Sequence, residues 1–398
     1  MRDWTPEQVA AAAGASLAAS PPEGAQGPAG VGIDSRTVAP GELFVGLRGR
    51  TDDGGRFAAR AIDAGAWGVL ARSEHLAGLD EGPAVLLAAP DPLAALGALA
   101  REHRRELGAT VVAVTGSTGK TATRDILAAL LACSRQTVAS EGNLNTEIGV
   151  PLTILRAPAA TEALVLELAM RGAGQIAELT AICEPDAGVI VNVGPAHLER
   201  LGSLEAIAAA KGELLAGMRP GAVAIVPAGE RLLEPHLRAD LRTVRFGSGG
   251  EVRLHSAGPD GVTFAVHDRR ETIEPGFRSA HLLTDLCAAI AAADALGVPI
   301  PRRLDVAFAA LRGERVALPG GVIVVNDCYN ANPMSMRAAL DDLAATAPAR
   351  RVAVLGDMLE LGAPDEERFH RELGEQAGAA GVELLVTVGP RAAWAGRP

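Results

Sequence analysis

The plainest chemistry in the chain sits in the stretch Thr115-Gly-Ser-Thr-Gly-Lys-Thr121. A β-branched run, Thr110-Val-Val-Ala-Val114, precedes it, and a helix-forming stretch from Ala122 to Ala132 comes after it. Strand, glycine-rich turn and helix N-terminus in that order make a phosphate cradle. The backbone N–H groups of the turn point inward at phosphate oxygens, and the helix dipole adds positive potential. Gly116, Ser117, Thr118, Gly119 and Ala122 make up the turn and helix start, Lys120 would bring a charge to the β- and γ-phosphates, and the Thr121 hydroxyl would ligate Mg2+. The pattern is a shortened one, since the full motif needs glycine where Val114 stands. The bland alternative is a Gly-rich turn that binds nothing.

Three more side chains stand near strand ends or on a helix. Glu167 ends the apolar run Leu164-Val-Leu-Glu167, at the carboxyl end of a parallel strand, where open α/β sheets bind ligands. His197 comes after the next such run, Val189-Ile-Val-Asn-Val-Gly194. Each has an ordinary reading, as a cap or surface carboxylate for Glu167 and a structural imidazole for His197. Together they offer oxygen and nitrogen ligands for magnesium beside Thr121. Lys211, in Ala208-Ala-Ala-Lys-Gly-Glu213, reads by pattern alone as a helix lysine that snorkels to solvent.

The elements that must position these groups alternate. The segment to residue 106 holds a turn-rich stretch, Gly32–Leu47, a helical stretch from Phe57 to Ala64 and the apolar run Ala66–Leu70. From 107 to 298, strands are predicted at Thr110–Val114, Ala163–Leu168, Ala187–Val193 and Ala222–Val226, with helices such as Leu204–Leu215 between them and a long one at His281–Leu296. Val298-Pro-Ile-Pro301 breaks the chain again. From 299 to 398 the rhythm repeats, with strands at Gly321–Asn326, Arg351–Leu355 and Leu384–Val388 and helices at Met334–Ala345 and Glu366–Ala379. The fold class is α/β, with a central parallel sheet of the doubly wound kind.

Composition bounds the function. At roughly 100–200 residues per domain, 398 residues suggest two to four domains. Hydrophobic residues make up 48% and aromatic ones only 3%, so the cores are built from Ala, Val and Leu. A net charge of −11 argues against a nucleic-acid partner but leaves room for anionic small substrates at a locally positive loop. Cys133, Cys183, Cys287 and Cys328 are scattered singles, the usage of a reduced, cytoplasmic protein. Asp3, Pro6, Glu7 and Gln8 interrupt any signal-peptide core, and no apolar run approaches the ~20 residues of a membrane span.

Taken together, the motifs resemble the Mur ligase family, the ATP-dependent amide ligases of peptidoglycan precursor synthesis. The phosphate loop carries the resemblance along with Glu141-Gly-Asn-Leu-Asn-Thr-Glu-Ile-Gly-Val-Pro151, Glu167-Leu-Ala-Met-Arg-Gly172, Ala196-His-Leu-Glu199 and Ala210-Lys-Gly-Glu213. Asn326-Asp-Cys-Tyr-Asn-Ala-Asn-Pro333 and Leu355-Gly-Asp-Met-Leu-Glu-Leu-Gly362 point to the branch that adds D-alanyl-D-alanine to UDP-MurNAc-tripeptide. The resemblance implies three domains: 1–106 for the UDP-substrate, 107–298 as the ATPase with a P-loop-type sheet, and a Rossmann-like 299–398 for the amine. It implies ATP, two Mg2+ ions and a carbamylated Lys211, with Lys120, Glu167, His197 and Lys211 as the catalytic set. Arg312, Asp327 and Asn330 would contact the nucleotide. Ser35, Arg36, Asn143, Asn145, Thr146, Arg171 and Asn332 would serve the substrates. A soluble monomer acting on small molecules is expected.

The sequence departs from the family pattern in three places. The His-Asn-x-x-Asn that would bring two amides to adenine reads His281-Leu-Leu-Thr-Asp285. Leu282 has no side-chain hydrogen bond to give and an ionised Asp285 only accepts, so looser base selectivity is expected. The N-terminal Asp-Gly-His reads Asp53-Gly-Gly55. A closing Gly-Asp-x-Val-Leu-x-Lys-Gly-Ser stretch, which would begin near Val388-Gly-Pro-Arg391, is missing, so the amine-side domain is expected to be incomplete. Two rivals are a folylpolyglutamate-type ligase, separated by the UDP-sugar dependence of ATP turnover, and a non-catalytic nucleotide-binding homologue, separated by product formation.

Overall fold

Local signals set the element starts. Thr5 and Gln8 exchange side-chain bonds with each other's backbone N–H, a capping box that opens helix Pro6–Ala13. Asp91 accepts from the N–H groups of Leu93 and Ala94 and opens Pro92–Leu107 with proline at its start. Asn332 does the same for Pro333–Thr346, with Ser335 bonding back to it. The computed structural model describes residues 1, 3–19, 24, 26–79, 82, 84–258, 260–347 and 350–396.

The chain's contacts fall into two units, and each is described by itself. The first comprises Met1–Val111, Arg135–Leu168 and Glu178–Pro185. Its five-stranded sheet has the order Ser16–Leu17, Val85–Ala88, Gly68–Ala71, Leu43–Val45, Val31–Gly32, parallel except at the Ser16–Leu17 edge. Phe44, Val69, Leu76 and Leu86 are buried in the core against one of its faces. Strand Thr137–Ala139 runs parallel to Ala163–Glu167, the strand that ends on a predicted site residue.

The second unit comprises Val112–Ser134, Ala169–Ala177 and Asp186–Pro398. In it Val112–Thr115 pairs parallel with Ala187–Ile190, which pairs with Val223–Pro227, and that in turn with Arg242–Phe246. The first two of these strands are wholly or almost wholly buried, as unbroken Val, Ile and Ala runs require when both faces are covered. Helix Ala280–Ala295 packs against Lys120–Ala132, and its alanines allow close approach. The sequence pattern did not announce the next three strands, Val252–Gly258, Gly261–Val266 and Arg269–Pro275, an antiparallel meander. Their short turns close at the pairs Gly258↔Gly261 and Val266↔Arg269.

In the stretch beyond residue 300, strand Ile323–Asn326 pairs antiparallel with Glu314–Ala317, which the expected βα rhythm did not foresee. Val352–Gly356 and Leu384–Val388 form the expected parallel pair. Leu340, Leu355, Met358, Leu361 and Leu373 make a core of their own. The helix expected at Glu366–Ala379 begins earlier, at Ala363, because Pro364 suits the first turn.

One helix in that core gives a sign test of the packing. A Cβ on Gly374 would collide with the Ala395 carbonyl, while one on Gly378 would meet nothing. Both sit in helix Ala363–Ala379. Gly378→Ala should stabilise by about 0.5–1 kcal/mol through helix propensity, and Gly374→Ala should destabilise despite the same propensity gain. Thermal melts of the two variants check this, and equal shifts would refute the close contact.

Candidate active site

The phosphate loop forms as the spacing predicts. Strand Thr110–Thr115 is buried, Gly119 adopts the left-handed conformation (φ 75°), and helix Lys120–Ala132 starts directly after it. The strand must turn into the helix within four residues, and only glycine takes that φ without strain. A Cβ at Gly119 would also strike the carboxyl of Asp285. The Lys120 Nζ lies back over the loop, donating to the Gly116 carbonyl at 2.9 Å. Thr121 is buried at the first turn, and Ala122 is half-buried beside it.

A residue that sequence reasoning missed shapes this loop. Asn192 Oδ1 accepts from the N–H groups of Ser117 (3.1 Å) and Thr118 (3.0 Å). Its Nδ2 donates to the Thr118 carbonyl at 3.2 Å and to the Thr118 hydroxyl at 3.1 Å. The Ser117 hydroxyl exchanges bonds with the Gly194 carbonyl and N–H, both at 2.9 Å. The signal was present: an amide directly after a buried strand end, Val189-Ile-Val-Asn192, beside a loop with several N–H groups to fill.

Lys211 does not snorkel. Helix Leu204–Gly217, capped by Ser203 through the Ala206 N–H (3.1 Å), turns Ile207, Ala208, Lys211, Leu214 and Leu215 inward on one face. Those positions follow the i, i+3/i+4, i+7 spacing of a buried stripe, so the sequence did carry the signal. Lys211 is 1% exposed. Burial, and then the nearby Lys120 ammonium, push its pKa well below the usual lysine value. Among the described residues no hydrogen bond or ion pair reaches its amine. Glu213 on the same helix has a separate task, since its carboxylate accepts from the N–H groups of Gly174 (2.6 Å) and Ala177 (3.1 Å) around the start of helix Gln175–Cys183.

His197 sits in the left-handed conformation (φ 60°) before the short helix Leu198–Leu201. Its Nδ1 meets the Glu360 carboxylate. Burial holds the imidazole pKa below its usual value. Glu360 opposes that shift, and Lys120 and Lys211 add to it. Lys120, His197 and Lys211 therefore lie within electrostatic reach of one another. The imidazole is kept largely neutral at pH 7, as a metal ligand must be.

Glu167 is buried at the end of its strand, in the first unit. Its Oε1 accepts from Asn145 Nδ2 at 2.8 Å, and its N–H donates to the Ser140 hydroxyl at 3.2 Å. The two residues expected to serve metal and substrate thus come together there. Asn143 and Thr146 are exposed on the same loop. Ser35 is buried, while exposed Arg36 clasps Asp34 and holds that carboxyl down at about 2. Arg171 is exposed, and its N–H donates to Gln175.

Around Asn326–Pro333, the Arg312 guanidinium lies 4.1 Å from the Tyr329 ring centre, a cation–π contact that fixes its direction. Burial raises the Asp327 pKa, against the pull of His281 and Arg312. Asn330 caps its own turn through the Ala331 N–H (2.9 Å). The Asn332 amide oxygen is engaged as a helix cap by Met334 (3.1 Å) and Ser335 (3.0 Å).

The family signatures for the Mur ligase catalytic, middle and glutamate ligase domains match residues 29–104, 114–293 and 311–396. A UDP-N-acetylmuramoyl-tripeptide–D-alanyl-D-alanine ligase of Bacillus subtilis is 35% identical over 367 residues, covering 90% of this chain and 80% of the relative. The chain belongs to the Mur ligase family. Its fold agrees with a crystal structure of MurF from Acinetobacter baumannii (TM-score 0.86, 28% identity, 98% of this chain and 87% of that one). It also agrees with the MurF ligase of Thermotoga maritima in complex with ADP (TM-score 0.82, 30% identity, 92% and 85%).

Asp285 of this Mur ligase departs from the expected base-facing acceptor. It is 5% exposed, packed beneath Gly119 with the Thr123 hydroxyl as a polar neighbour, and burial pushes its pKa up to about 8. Between about pH 4 and 8 the folded protein therefore binds one more proton here than the unfolded chain, so stability falls as pH rises through that window and levels off above it. Asp285→Asn removes this titration. Its melting temperature relative to wild type should climb between about pH 5 and pH 8. A constant difference across that range would show that the carboxyl ionises freely in the fold.

Proposed function

We propose that this Mur ligase joins D-alanyl-D-alanine to UDP-MurNAc-tripeptide at the cost of ATP, releasing ADP and phosphate, in peptidoglycan precursor synthesis. The observation that carries the reading is Lys211, a buried amine with no counter-charge among the described residues, beside Lys120 and His197 next to a phosphate loop. Relatives that carry the D-alanyl-D-alanine ligase name at 35–36% identity support it.

The chemistry has two displacements. A carboxylate oxygen of the tripeptide bonds to the γ-phosphorus while the bond to ADP breaks, giving an acyl-phosphate. The D-alanyl-D-alanine amine then bonds to the acyl carbon, passes through a tetrahedral intermediate, loses a proton and expels phosphate. The protein's part is positioning and charge neutralisation. Lys120 lies against the loop where phosphate charge would sit. Arg312, braced by Tyr329, together with Asp327 and Asn330, would serve the nucleotide. Segment 1–106, with Ser35 and Arg36, would hold the UDP-sugar, and Asn143, Asn145, Thr146, Arg171 and Asn332 would line the substrates. Segment 107–298 would bind ATP and 299–398 the amine.

Two magnesium ions would draw on Thr121, His197 and a carbamylated Lys211 in the second unit, and the resemblance adds Glu167 as a further ligand. An ammonium beside a cation is repelled, so Lys211 suits a metal only with its charge inverted. CO2 adds to the neutral amine to give a carbamate and one proton. Burial and Lys120 favour that neutral amine. The carbamate offers the oxygen ligands magnesium prefers. When bound, magnesium neutralises charge on the transferring phosphoryl group. Among the described residues no helix is long and apolar enough to cross a membrane. A cytoplasmic monomer is the setting we propose.

ADP release should require UDP-MurNAc-tripeptide and rise further with D-alanyl-D-alanine, with a product whose mass is the sum of the two less water. Turnover on other carboxylates with none on this one would reject the substrate assignment. Lys120→Ala should lower kcat about 10²–10³-fold with the fold intact. Wild-type activity should drop in CO2-depleted buffer and return on adding bicarbonate. Lys211→Ala should be slow under both conditions and respond partly to short carboxylates. An active Lys211→Ala enzyme would remove the carbamate from the mechanism.

A further inference from the structure

The motif Leu355-Gly-Asp-Met-Leu-Glu-Leu-Gly362 has no part in the chemistry above, yet its loop is firmly held. Met358 and Leu361 are buried in the core beneath it. The Met358 N–H donates to His370 Nε2 at 2.9 Å, and Asp357 accepts from the Ala392 N–H at 2.6 Å. Between these anchors the chain turns left-handed at Glu360 (φ 63°), a conformation that a glutamate adopts only under constraint. The turn aims Glu360 at His197, itself left-handed (φ 60°). The two backbones are also stitched together, Glu199 N–H to Glu360 carbonyl at 3.1 Å. Strained non-glycine turns on both sides of one side-chain contact are what a functional constraint leaves behind.

We propose that Glu360 is a positioning residue, which fixes the His197 imidazole through Nδ1 and leaves Nε2 as the nitrogen for metal. The neutral imidazole donates its Nδ1 proton to the carboxylate, which selects the tautomer, sets the ring plane and makes Nε2 a stronger donor. The loop 356–362 thereby supplies an outer partner to a ligand carried by the segment that holds the phosphate loop. The same turn is braced a second time. Gly194, bonded to Ser117 of the phosphate loop, leaves no room for a Cβ against Met334 at the start of helix Pro333–Thr346. The segments before and after 299 therefore meet at the turn 192–199, and Glu360 is the charged group that reaches His197 there.

This inference rests on the proposed role of His197 as a metal ligand, and the test separates the two. Mn2+ binding to the full chain in the presence of ADP is measured by calorimetry for wild type, Glu360→Ala, Glu360→Gly, Glu360→Gln and His197→Ala, with thermal melts alongside. His197 is read in parallel by its imidazole 15N shifts. Glu360→Ala should weaken Mn2+ binding about 10–100-fold and mix the two tautomers. Glu360→Gln, which keeps an acceptor without the charge, should fall between. Glu360→Gly relieves the left-handed strain, so it should melt no lower than Glu360→Ala and yet bind Mn2+ as poorly. A merely structural role would order those two variants by stability instead. Unchanged Mn2+ affinity in Glu360→Ala and Glu360→Gly, with His197→Ala impaired, overturns the positioning role and leaves the ligand intact. Unchanged affinity in His197→Ala overturns both.

Discussion

A lysine amine buried with no counter-charge among the described residues, within reach of a second lysine, is the constraint around which this site is organised. An isolated charge in that position is costly, so burial pulls the amine's pKa down. Lys211 meets that condition, since its helix turns it inward with Ile207 and Leu214 and Lys120 raises the local potential. Burial lowers the His197 pKa too, with Lys120 a smaller contributor in the same direction. Burial is thus the first cause at both nitrogens, and the lysine of the phosphate loop adds to it.

The loop depends in turn on the residues just past the end of the neighbouring strand. Asn192 fills two of its N–H groups and Ser117 is tied to Gly194. Five residues after Asn192 the chain reaches His197, held by Glu360. A displacement of the phosphate loop would therefore be felt at 192–199, and from there at Met334 and at the loop 356–362. One anchor of the linker between these parts lies on the same helix: Asp125 of helix Lys120–Ala132 accepts from the Ala309 N–H at 3.0 Å. The helix that begins at the phosphate loop is thereby tied to the connection to the next segment.

Much of this was legible in the sequence because it rests on local rules. Val and Ile runs ending at Thr115, Glu167 and Ile190 mark buried strands, and the Gly119-Lys120 step marks the helix start. The features that were missed are non-local or masked by weak patterning. The meander from Val252 to Pro275 alternates poorly, since Val252–Gly258 exposes nearly every residue after its first. Pattern alone sent Lys211 to solvent because its alanine neighbours mark only weakly the helical stripe that Ile207, Leu214 and Leu215 define. Glu360 lies 163 residues from His197, and no spacing rule links two residues so far apart.

Position 285 shows how a departure from a family pattern can conserve the physics. An amide expected there is replaced by an acid in a site too dry to ionise it below about pH 8. A protonated carboxyl matches an amide in size, shape and net charge, and it keeps one donor and one acceptor. The side chain lies under Gly119, where its volume decides how closely the phosphate loop can approach the helix Ala280–Ala295. The structural demand at this point is for a compact neutral polar group, and Asp285 meets it by burial alone. Leu282, half-buried one turn earlier on the same helix, offers only an apolar surface. Neither side chain brings the amide that the family pattern would present to a base, so looser base selectivity stays the expectation for this motif.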